Sequence, residues 1–334
     1  MMEKHAIIKK KSCLFSIFTD TVLRCNNLTS DEKGGYKKMS QTSERVRREW
    51  KIGDAKRDAG LTTPEDIKRY DDILYGADPV WNLLDVYRPK KMDGKLPVIV
   101  NIHGGGWVYG DKEIYQFYGM SLAQRGFAVV NFSYRLAPEA KFPAQLEDIN
   151  NVITWMYQNG DKYGLDMEHV FMVGDSAGGH LCGIYSAICT NTEYAAQYEF
   201  KIPKGFIPKA IGLNCGVYNP IADGEVLGRD EDVDLMEDLL PENGSARERM
   251  LVNLTNHVTT QFPPVYLMTC VGDFCRPQAP LLETVLKKNG VYYEFKTYGT
   301  EENPLYHVFH LTMQEPEGQK CNDEECEFFR RMSK

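Results

Sequence analysis

The sequence predicts an α/β fold with a mostly parallel, twisted sheet that is flanked by helices and carries a small cap. Three observations support this prediction. Short apolar runs alternate with helical patterns, the 334 residues suit one large domain with a small addition, and 43% of them are hydrophobic. Because parallel strands are joined by crossovers that usually contain a helix, this alternation is typical of a sheet covered on both faces.

The elements follow a regular order. Strands are expected where apolar residues run together, and helices where apolar residues recur every three or four positions. The expected strands are Asn82–Tyr87, Leu96–Ile102, Phe127–Tyr134, Val170–Val173, Ala210–Cys215, Val265–Cys270 and Val291–Tyr298. The expected helices are Tyr115–Arg125, Phe142–Asn159, one that begins near His180, and Pro280–Asn289, which Gly290 closes.

Two segments depart from this alternation of strands and helices. Residues 39–75 are charged and compatible with a helix, with Thr63–Asp66 as a cap and first turn, and we expect them to contribute to the cap. Residues from about 218 to 260 have no place in the sheet and are expected to form a cap insertion in a catalytic domain of residues 76–334. The carboxylates from Asp230 to Asp238 are expected to form a solvated helix face.

Composition excludes several classes of partner and site. A net charge of −8, without a basic stripe beyond the N-terminal segment, argues against nucleic acid. Apolar runs fall short of the roughly 20 residues of a membrane span. The nine cysteines include no Cys-x-x-Cys pair, and only Cys321 and Cys326 approach metal-ligand spacing. Reduced thiols in a cytoplasmic protein without metal are therefore expected, and the sequence leaves homo-oligomer formation open.

Residues 1–38 are expected to be a non-native or disordered extension. Lysines precede the short apolar stretch Cys13–Phe18, but no small-residue cleavage site follows, which argues against a signal peptide. In a bacterial gene, a purine-rich ribosome-binding sequence can encode Glu32–Gly35. Because Met39 follows after a short spacer, we expect translation to begin there.

Two glycine-rich strings each follow a predicted strand. Gly174–Gly178 fits the pattern Gly-x-Ser-x-Gly between a strand and a helix, which places Ser176 on a sharp turn with its hydroxyl exposed. His103–Trp107 contains three glycines, whose backbone N–H groups can point at a ligand without interference from side chains. Together the strings predict a serine nucleophile and an oxyanion hole.

With Tyr134–Glu139 and Phe142–Ala144, these strings resemble the hormone-sensitive-lipase-like esterases of the α/β-hydrolase fold, a group of carboxylesterases and acetyl-xylan-type esterases. The likeness runs from about residue 82 to 310 and is most specific before Pro220. It implies an α/β-hydrolase fold that hydrolyses esters without a metal or organic cofactor. The substrates it implies are small acyl esters, either short-chain esters or acetylated carbohydrates.

The resemblance also implies where the histidine base lies. In this fold the acid and the histidine follow the serine at the ends of later strands. His307 comes after the last predicted strand in the expected setting, although Val308 replaces a common glycine. His310, one helical turn further on, is the alternative, and its structural interpretation is a partly buried helix histidine.

The acid is expected to follow the strand Val265–Cys270, where Asp273 occurs. Phe274 and Cys275 replace the Pro-Leu that the family commonly shows, and Asp273 as a helix N-cap is the alternative. Two other carboxylates, Glu301 and Glu302, lie too near His307 in sequence to orient it. Asp175 is expected to make structural hydrogen bonds, because its side chain should point away from Ser176.

The oxyanion donors are expected to be the backbone N–H groups of Ala177, Gly105 and Gly106. His103 and Gly104 should support this loop rather than transfer protons. Two aromatic residues that follow the glycines, Trp107 and Tyr109, are expected either to line the substrate pocket or to belong to the core. Arg135 is expected to pair with a buried carboxylate.

The predicted reaction is therefore ester hydrolysis through an acyl-enzyme, with Ser176, His307 and Asp273 as a catalytic triad and a small-molecule ester as substrate. Alternatives on the same residues are an arylformamidase-type amide hydrolase and a feruloyl-type esterase. A non-catalytic ligand receptor on this fold is a further alternative, but the presence of His307 argues against it.

Overall fold

The computed structural model describes residues 39–221 and 230–334, with side chains described for 39–221 and 233–334. The expectations for residues 1–38 fall on a part of the chain outside these ranges. Within the described residues, an eight-stranded sheet has the order β1-β2-β4-β3-β5-β6-β7-β8. Its strands are β1 Ile67–Leu74, β2 Leu83–Pro89, β3 Leu96–Ile102, β4 Ala128–Phe132, β5 Leu165–Asp175, β6 Ile211–Asn214, β7 Val265–Cys270 and β8 Tyr293–Tyr298.

Strands β3 to β8 run parallel to one another, whereas β2 is antiparallel to both β1 and β4. The described helices are α1 Gln41–Arg57, α2 Gln116–Gln124, α3 Ala144–Tyr163, α4 Ser176–Thr190, α5 Thr192–Ala195, α6 Asp230–Leu239, α7 Ala246–Val252, α8 Gln278–Lys288 and α9 Pro316–Met332. This arrangement confirms the predicted α/β architecture of a mostly parallel sheet flanked by helices.

The core lies on both faces of the sheet because successive strand residues point to opposite sides. On β3, Val98 and Val100 join the cluster that contains the apolar residues of α3, α4 and α8. Ile99, between them, joins the cluster that contains the apolar residues of α2 and α9. The central strands are therefore buried on both faces, which leaves their carboxyl ends as the place where polar side chains can meet a cavity.

The cap helix α6 is held to α1 through its carboxylates. Asp238 is buried, and its Oδ2 accepts hydrogen bonds from the Ser40 N–H at 3.0 Å and from the hydroxyls of Ser40 and Ser43, both at 2.6 Å. Asp234 accepts a hydrogen bond from the Thr42 hydroxyl at 2.5 Å. The expectation of a wholly solvated acidic face was therefore wrong, because these two carboxylates satisfy polar groups at the start of α1.

Three elements differ from the prediction. Thr63–Asp66 does not begin a helix but leads into the edge strand β1, in which half of the residues are charged and half are exposed, without a strand-like apolar pattern. Strand β5 begins at Leu165, well before the apolar run at Val170. The C-terminal helix α9 was not predicted, although Phe328 and Phe329 pack in the core.

Candidate active site

Ser176 lies at the junction of β5 and α4, with a backbone φ of +50° that a residue other than glycine rarely adopts. Close backbone contacts explain the glycines around it. A Cβ atom on Gly178 would lie 2.1 Å from the Ile102 carbonyl oxygen, and one on Gly174 would lie 2.3 Å from that of Gly178. The turn therefore packs against the end of β3, and Ser176 borders a cavity at the N-terminus of α4.

Asp273 and His307 are in direct contact. The Nδ1 of His307 lies 2.6 Å from Oδ1 of Asp273, which also accepts the Cys275 N–H at 2.8 Å. The other carboxylate oxygen accepts the Thr269 hydroxyl at 2.8 Å. Burial alone would raise the pKa of Asp273, but His307 and the two further donors outweigh burial and lower it. Asp273 is therefore a carboxylate that holds one nitrogen of the His307 ring.

The loops that carry these two residues are joined through their backbones. The Gly272 N–H donates to the Leu305 carbonyl at 2.8 Å, and a Cβ on Gly272 would lie 2.7 Å from that oxygen. The ring of Phe274 lies 4.0 Å from the His307 ring, centroid to centroid. Since the side chain of His307 is 16% exposed and borders the same cavity as Ser176, the structure brings both residues to one cavity.

The glycine loop after β3 adopts a conformation that depends on its glycines. Gly105 and Gly106 have φ values of +114° and +59°, and a Cβ on Gly105 would lie 1.9 Å from the Tyr109 carbonyl oxygen. His103 supports the loop, because its Nδ1–H donates to the Gly104 carbonyl at 2.7 Å while its ring stacks on Tyr134 at 4.0 Å. Burial lowers the pKa of His103 to about 4, which leaves its imidazole uncharged at neutral pH.

Asp175, the residue before Ser176, supports the glycine loop through Tyr115. The Gly104 N–H donates to the Tyr115 hydroxyl at 2.9 Å, and this hydroxyl donates to Oδ2 of Asp175 at 2.8 Å. Burial raises the pKa of Asp175 to about 7, although the hydrogen bond from Tyr115 acts in the opposite direction. The side chain of Asp175 thus makes structural hydrogen bonds one residue before Ser176.

Two cavities meet at Ser176. The smaller has a volume of about 30 Å³ and the larger a volume of about 270 Å³. Ser176, Trp50 and Phe274 border both cavities. The smaller is also bordered by Gly106, Trp107, Ala177, Val217, Pro220, Leu235, Met236 and Cys275. The larger is also bordered by Gly53, Asp54, Arg57, Gly104, Gly105, Tyr109, Ile114, Tyr115, Asp175, His307, Val308 and Leu311.

Trp107 and Tyr109, the two aromatic residues singled out in the sequence, border different cavities. Trp107 borders the smaller one, where its ring meets the His180 ring edge-on at 5.5 Å. Tyr109 borders the larger one and donates its hydroxyl to Asp54 at 2.8 Å. Each ring therefore has both a packing role and a face toward space beside Ser176.

The alternative candidates lie elsewhere. His310 is fully buried, its ring nitrogens have no hydrogen-bond partner among the described residues, and burial lowers its pKa to about 3. Glu301 and Glu302 are exposed. Arg135 pairs with the buried Asp148 at 2.9 Å, as the sequence suggested.

Helix α1 supplies cavity residues that the motif search missed. Trp50, Gly53, Asp54 and Arg57 all border the larger cavity. Their spacing of three, four and seven positions is that of one face of a helix, and this spacing was the available signal. Two further cavity residues, Tyr115 and Phe274, had no motif to mark them.

Possible metal ligands also fall within this site. In the described part of the chain, one group of three such side chains combines Cys215 with Asp273 and His307, with ligand atoms within 4.8 Å of one another. Burial raises the pKa of the Cys215 thiol, which disfavours the thiolate that a metal would need. The described cysteines are all free thiols. Among the described helices, none is long and apolar enough to cross a membrane.

The chain is similar in sequence to known esterases. The chain is 38% identical to esterase LipC of Mycobacterium tuberculosis over 135 residues, 40% of this chain and 32% of the relative. It is 30% identical to the versiconal hemiacetal acetate esterase of Dothistroma septosporum over 229 residues, which cover 62% of this chain and 65% of the relative. The chain thus spans less than two thirds of the length of these curated relatives.

A solved structure extends the likeness over most of the chain. Esterase B from Lactobacillus rhamnosis superimposes with a TM-score of 0.79 and 30% identity, covering 87% of this chain and 95% of that structure. The BD-FAE family model matches residues 84–273, which include the glycine loop, Ser176 and Asp273. The chain therefore belongs to the BD-FAE family, and its fold is that of the α/β-hydrolase esterases.

Proposed function

We propose that this protein is a carboxylesterase that hydrolyses small acyl esters through an acyl-enzyme. Ser176 is the nucleophile, His307 is the general base and acid, and Asp273 orients His307. The observation that carries the proposal is the 2.6 Å contact between Asp273 and His307 beside the cavity that Ser176 borders. A serine hydroxyl needs an adjacent base that is itself held by a third group, and these residues supply both.

The proposed chemistry follows from the hydrogen bonds. The Nδ1 of His307 is engaged by Asp273, so Nε2 is the nitrogen that takes the Ser176 proton as Oγ attacks the ester carbonyl. The same nitrogen then protonates the departing alcohol, and a water molecule repeats the sequence to release the acid. The backbone N–H groups of Gly105, Gly106 and Ala177 stabilise the oxyanion, as donors fixed in advance at the developing charge.

We assign the alcohol half of the ester to one cavity and the acyl half to the other. Because His307 must protonate the leaving oxygen and borders only the larger cavity, the alcohol half occupies that cavity. The acyl half then extends into the smaller, largely apolar cavity beside Trp107, Leu235 and Met236. One water-sized group needs about 10–15 Å³ of such space. A cavity of about 30 Å³ thus favours acetyl and other short acyl groups over a feruloyl group.

The experiment that tests the activity is hydrolysis of p-nitrophenyl acetate by the wild type and by Ser176→Ala. Loss of the nucleophile should lower kcat by roughly 10⁴-fold or more. Ser186→Ala is the matched control, since Ser186 lies on the same helix and donates to the Cys182 carbonyl at 2.8 Å. A Ser176→Ala variant that keeps wild-type turnover would refute the proposal.

A chain-length series tests the assignment of the acyl cavity. We expect kcat/KM for p-nitrophenyl esters to fall from acetate through butyrate to octanoate. Met236→Ala should shift the preference toward butyrate, because Met236 is buried against the smaller cavity and its truncation enlarges it. An unchanged profile in a folded Met236→Ala protein would place the acyl group elsewhere.

A further inference from the structure

Val308, the residue after His307, has a backbone conformation that its side chain disfavours. Its φ and ψ are +56° and +31°, in the left-handed region. Because valine is branched at Cβ, this conformation is a genuine outlier for it, whereas glycine adopts it without steric cost. Residues held in such conformations cluster at catalytic and ligand-binding sites. The presence of valine at this position therefore needs a reason other than backbone preference.

The surrounding structure holds the conformation through both backbone polar groups of Val308. Its carbonyl accepts the Leu311 N–H at 3.0 Å. Burial raises the pKa of the Cys215 thiol, and a hydrogen bond from the Val308 N–H acts in the opposite direction, so this N–H also has a partner. Neither contact involves the valine side chain, and a glycine at position 308 could make both. The hydrogen bonds therefore explain the turn but not the isopropyl group.

Val308 borders the cavity that also holds the proposed base. Part of the residue packs against the core cluster that contains the apolar residues of α2 and α9. It also borders the larger cavity, as do His307, Phe274 and Leu311. The Phe274 ring lies 4.0 Å from the His307 ring, centroid to centroid, and Leu311 is buried. Three apolar residues therefore border this cavity together with the imidazole.

The proposed reaction brings the leaving group to these residues. His307 protonates the departing alcohol, so the leaving oxygen must come within about 3.2 Å of Nε2. The carbon that carries this oxygen lies one bond further away, and its substituents lie among the residues that border the cavity with His307. A primary alcohol places one carbon branch there, and a tertiary alcohol places three. The space beside His307 therefore decides how much branching the cavity accepts.

We propose that Val308 is a specificity-determining residue whose isopropyl group restricts branching at the carbon bonded to the leaving oxygen, so that esters of primary alcohols are preferred to esters of tertiary alcohols. This inference rests on the proposed esterase function. The strained backbone at position 308 is then the consequence of having this side chain beside the base.

The test compares n-butyl acetate with tert-butyl acetate, which have the same acyl group and the same number of carbon atoms. Because the tertiary ester is also less reactive in solution, the quantity to compare between variants is the ratio of the two kcat/KM values, n-butyl to tert-butyl. Val308→Gly should lower this ratio by about 10- to 100-fold, since a misfit of a methylene group in an apolar pocket changes kcat/KM by about that factor. Val308→Ala, which keeps Cβ but loses both methyl groups, should lower the ratio by a smaller factor.

Val285→Ala is the matched control, because Val285 is partly buried against the core on α8 and borders neither cavity at Ser176. It should leave the ratio unchanged. Stability provides a second readout that does not depend on turnover. Val308→Gly and Val308→Ala both lose apolar contacts, but only glycine relieves the strain at a φ of +56°. Val308→Gly should therefore have the higher guanidinium midpoint of the two.

Three results would overturn the inference while leaving the esterase function intact. One is an unchanged ratio in a folded Val308→Gly protein. Another is a ratio that falls in Val308→Gly but not in Val308→Ala, because the effect would then come from the backbone and not from the isopropyl group. The third is a guanidinium midpoint for Val308→Gly below that of Val308→Ala, which would show that Val308 is not strained. A wild-type protein that hydrolyses neither n-butyl acetate nor p-nitrophenyl acetate would instead contradict the proposed function itself.

Discussion

Tyr115 links Asp175, the residue before Ser176, to the glycine loop, and Tyr115→Phe should affect both stability and turnover. The phenol hydroxyl accepts the Gly104 N–H at 2.9 Å and donates to Asp175 at 2.8 Å. All of these groups are buried. Removing the hydroxyl therefore leaves a backbone donor and a carboxyl oxygen without their partner in the protein.

The expected loss of stability can be worked from these two contacts. A hydrogen bond to a charged acceptor contributes about 1.5–3 kcal/mol, and a buried donor left unsatisfied costs about 1–3 kcal/mol. Together they predict a decrease of about 2.5–6 kcal/mol in the free energy of unfolding. Because Gly104 begins the loop that carries two of the proposed oxyanion donors, we also expect kcat to fall by about 10- to 100-fold, below the roughly 100- to 1000-fold cost of deleting a donor.

Tyr118→Phe is the matched control. Tyr118 is equally buried, lies three residues away, and donates its hydroxyl to Glu325 at 3.0 Å, away from the glycine loop. It should lose about 1.5–3 kcal/mol of stability with kcat unchanged. Guanidinium denaturation and the kcat for p-nitrophenyl acetate measure the two effects. If Tyr115→Phe lost stability but kept wild-type kcat, the reasoning that the hydroxyl positions the oxyanion loop would be refuted.

Two further predictions concern buried carboxyl groups. Burial raises the pKa of Glu325 from 4.5 to about 7, so between these pH values the folded state keeps a proton that the unfolded state has lost, and stability falls as pH rises. Relative to wild type, the free energy of unfolding of Glu325→Gln should therefore rise across this pH window by about 1.4 kcal/mol per pH unit, to a total of up to about 3 kcal/mol. Denaturation curves that give the same difference between variant and wild type at the low and high ends of the window would contradict this linkage. Asp238→Ala removes three hydrogen bonds from Ser40 and Ser43 that hold α1 to α6. It should raise the KM for p-nitrophenyl acetate more than it lowers kcat. A lower kcat with an unchanged KM would assign α1 a different role.

The sequence predicted much of the site because backbone geometry demands particular residues there. Gly174 and Gly178 have no space for a side chain at the turn that holds Ser176 at a positive φ, so this requirement appears as a motif. His307 could be selected because few histidines follow the last strand. His310, three residues on, is fully buried, whereas its structural interpretation anticipated only partial burial.

The remainder of the site depends on tertiary packing. Asp54 and Trp50 meet the cavity only because α1 lies against the cap, and the docking of Asp238 to Ser40 joins residues 198 positions apart. Within the run of carboxylates from Asp230 to Asp238, no local sequence pattern marks the one that is buried. The edge strand β1 was missed for a similar reason, since its charged residues pair through their backbones with β2 and do not need an apolar pattern.

The central claim is that Ser176, His307 and Asp273 act as one unit. The most direct test is the kcat/KM for p-nitrophenyl acetate of Ser176→Ala, His307→Ala and the double variant, with circular dichroism to confirm folding. Each single variant should lose about 10⁴- to 10⁶-fold, and the double variant should be little worse than either, because removing one member already disables the others. Losses that multiply in the double variant would show that the two residues act independently and would contradict the proposed triad.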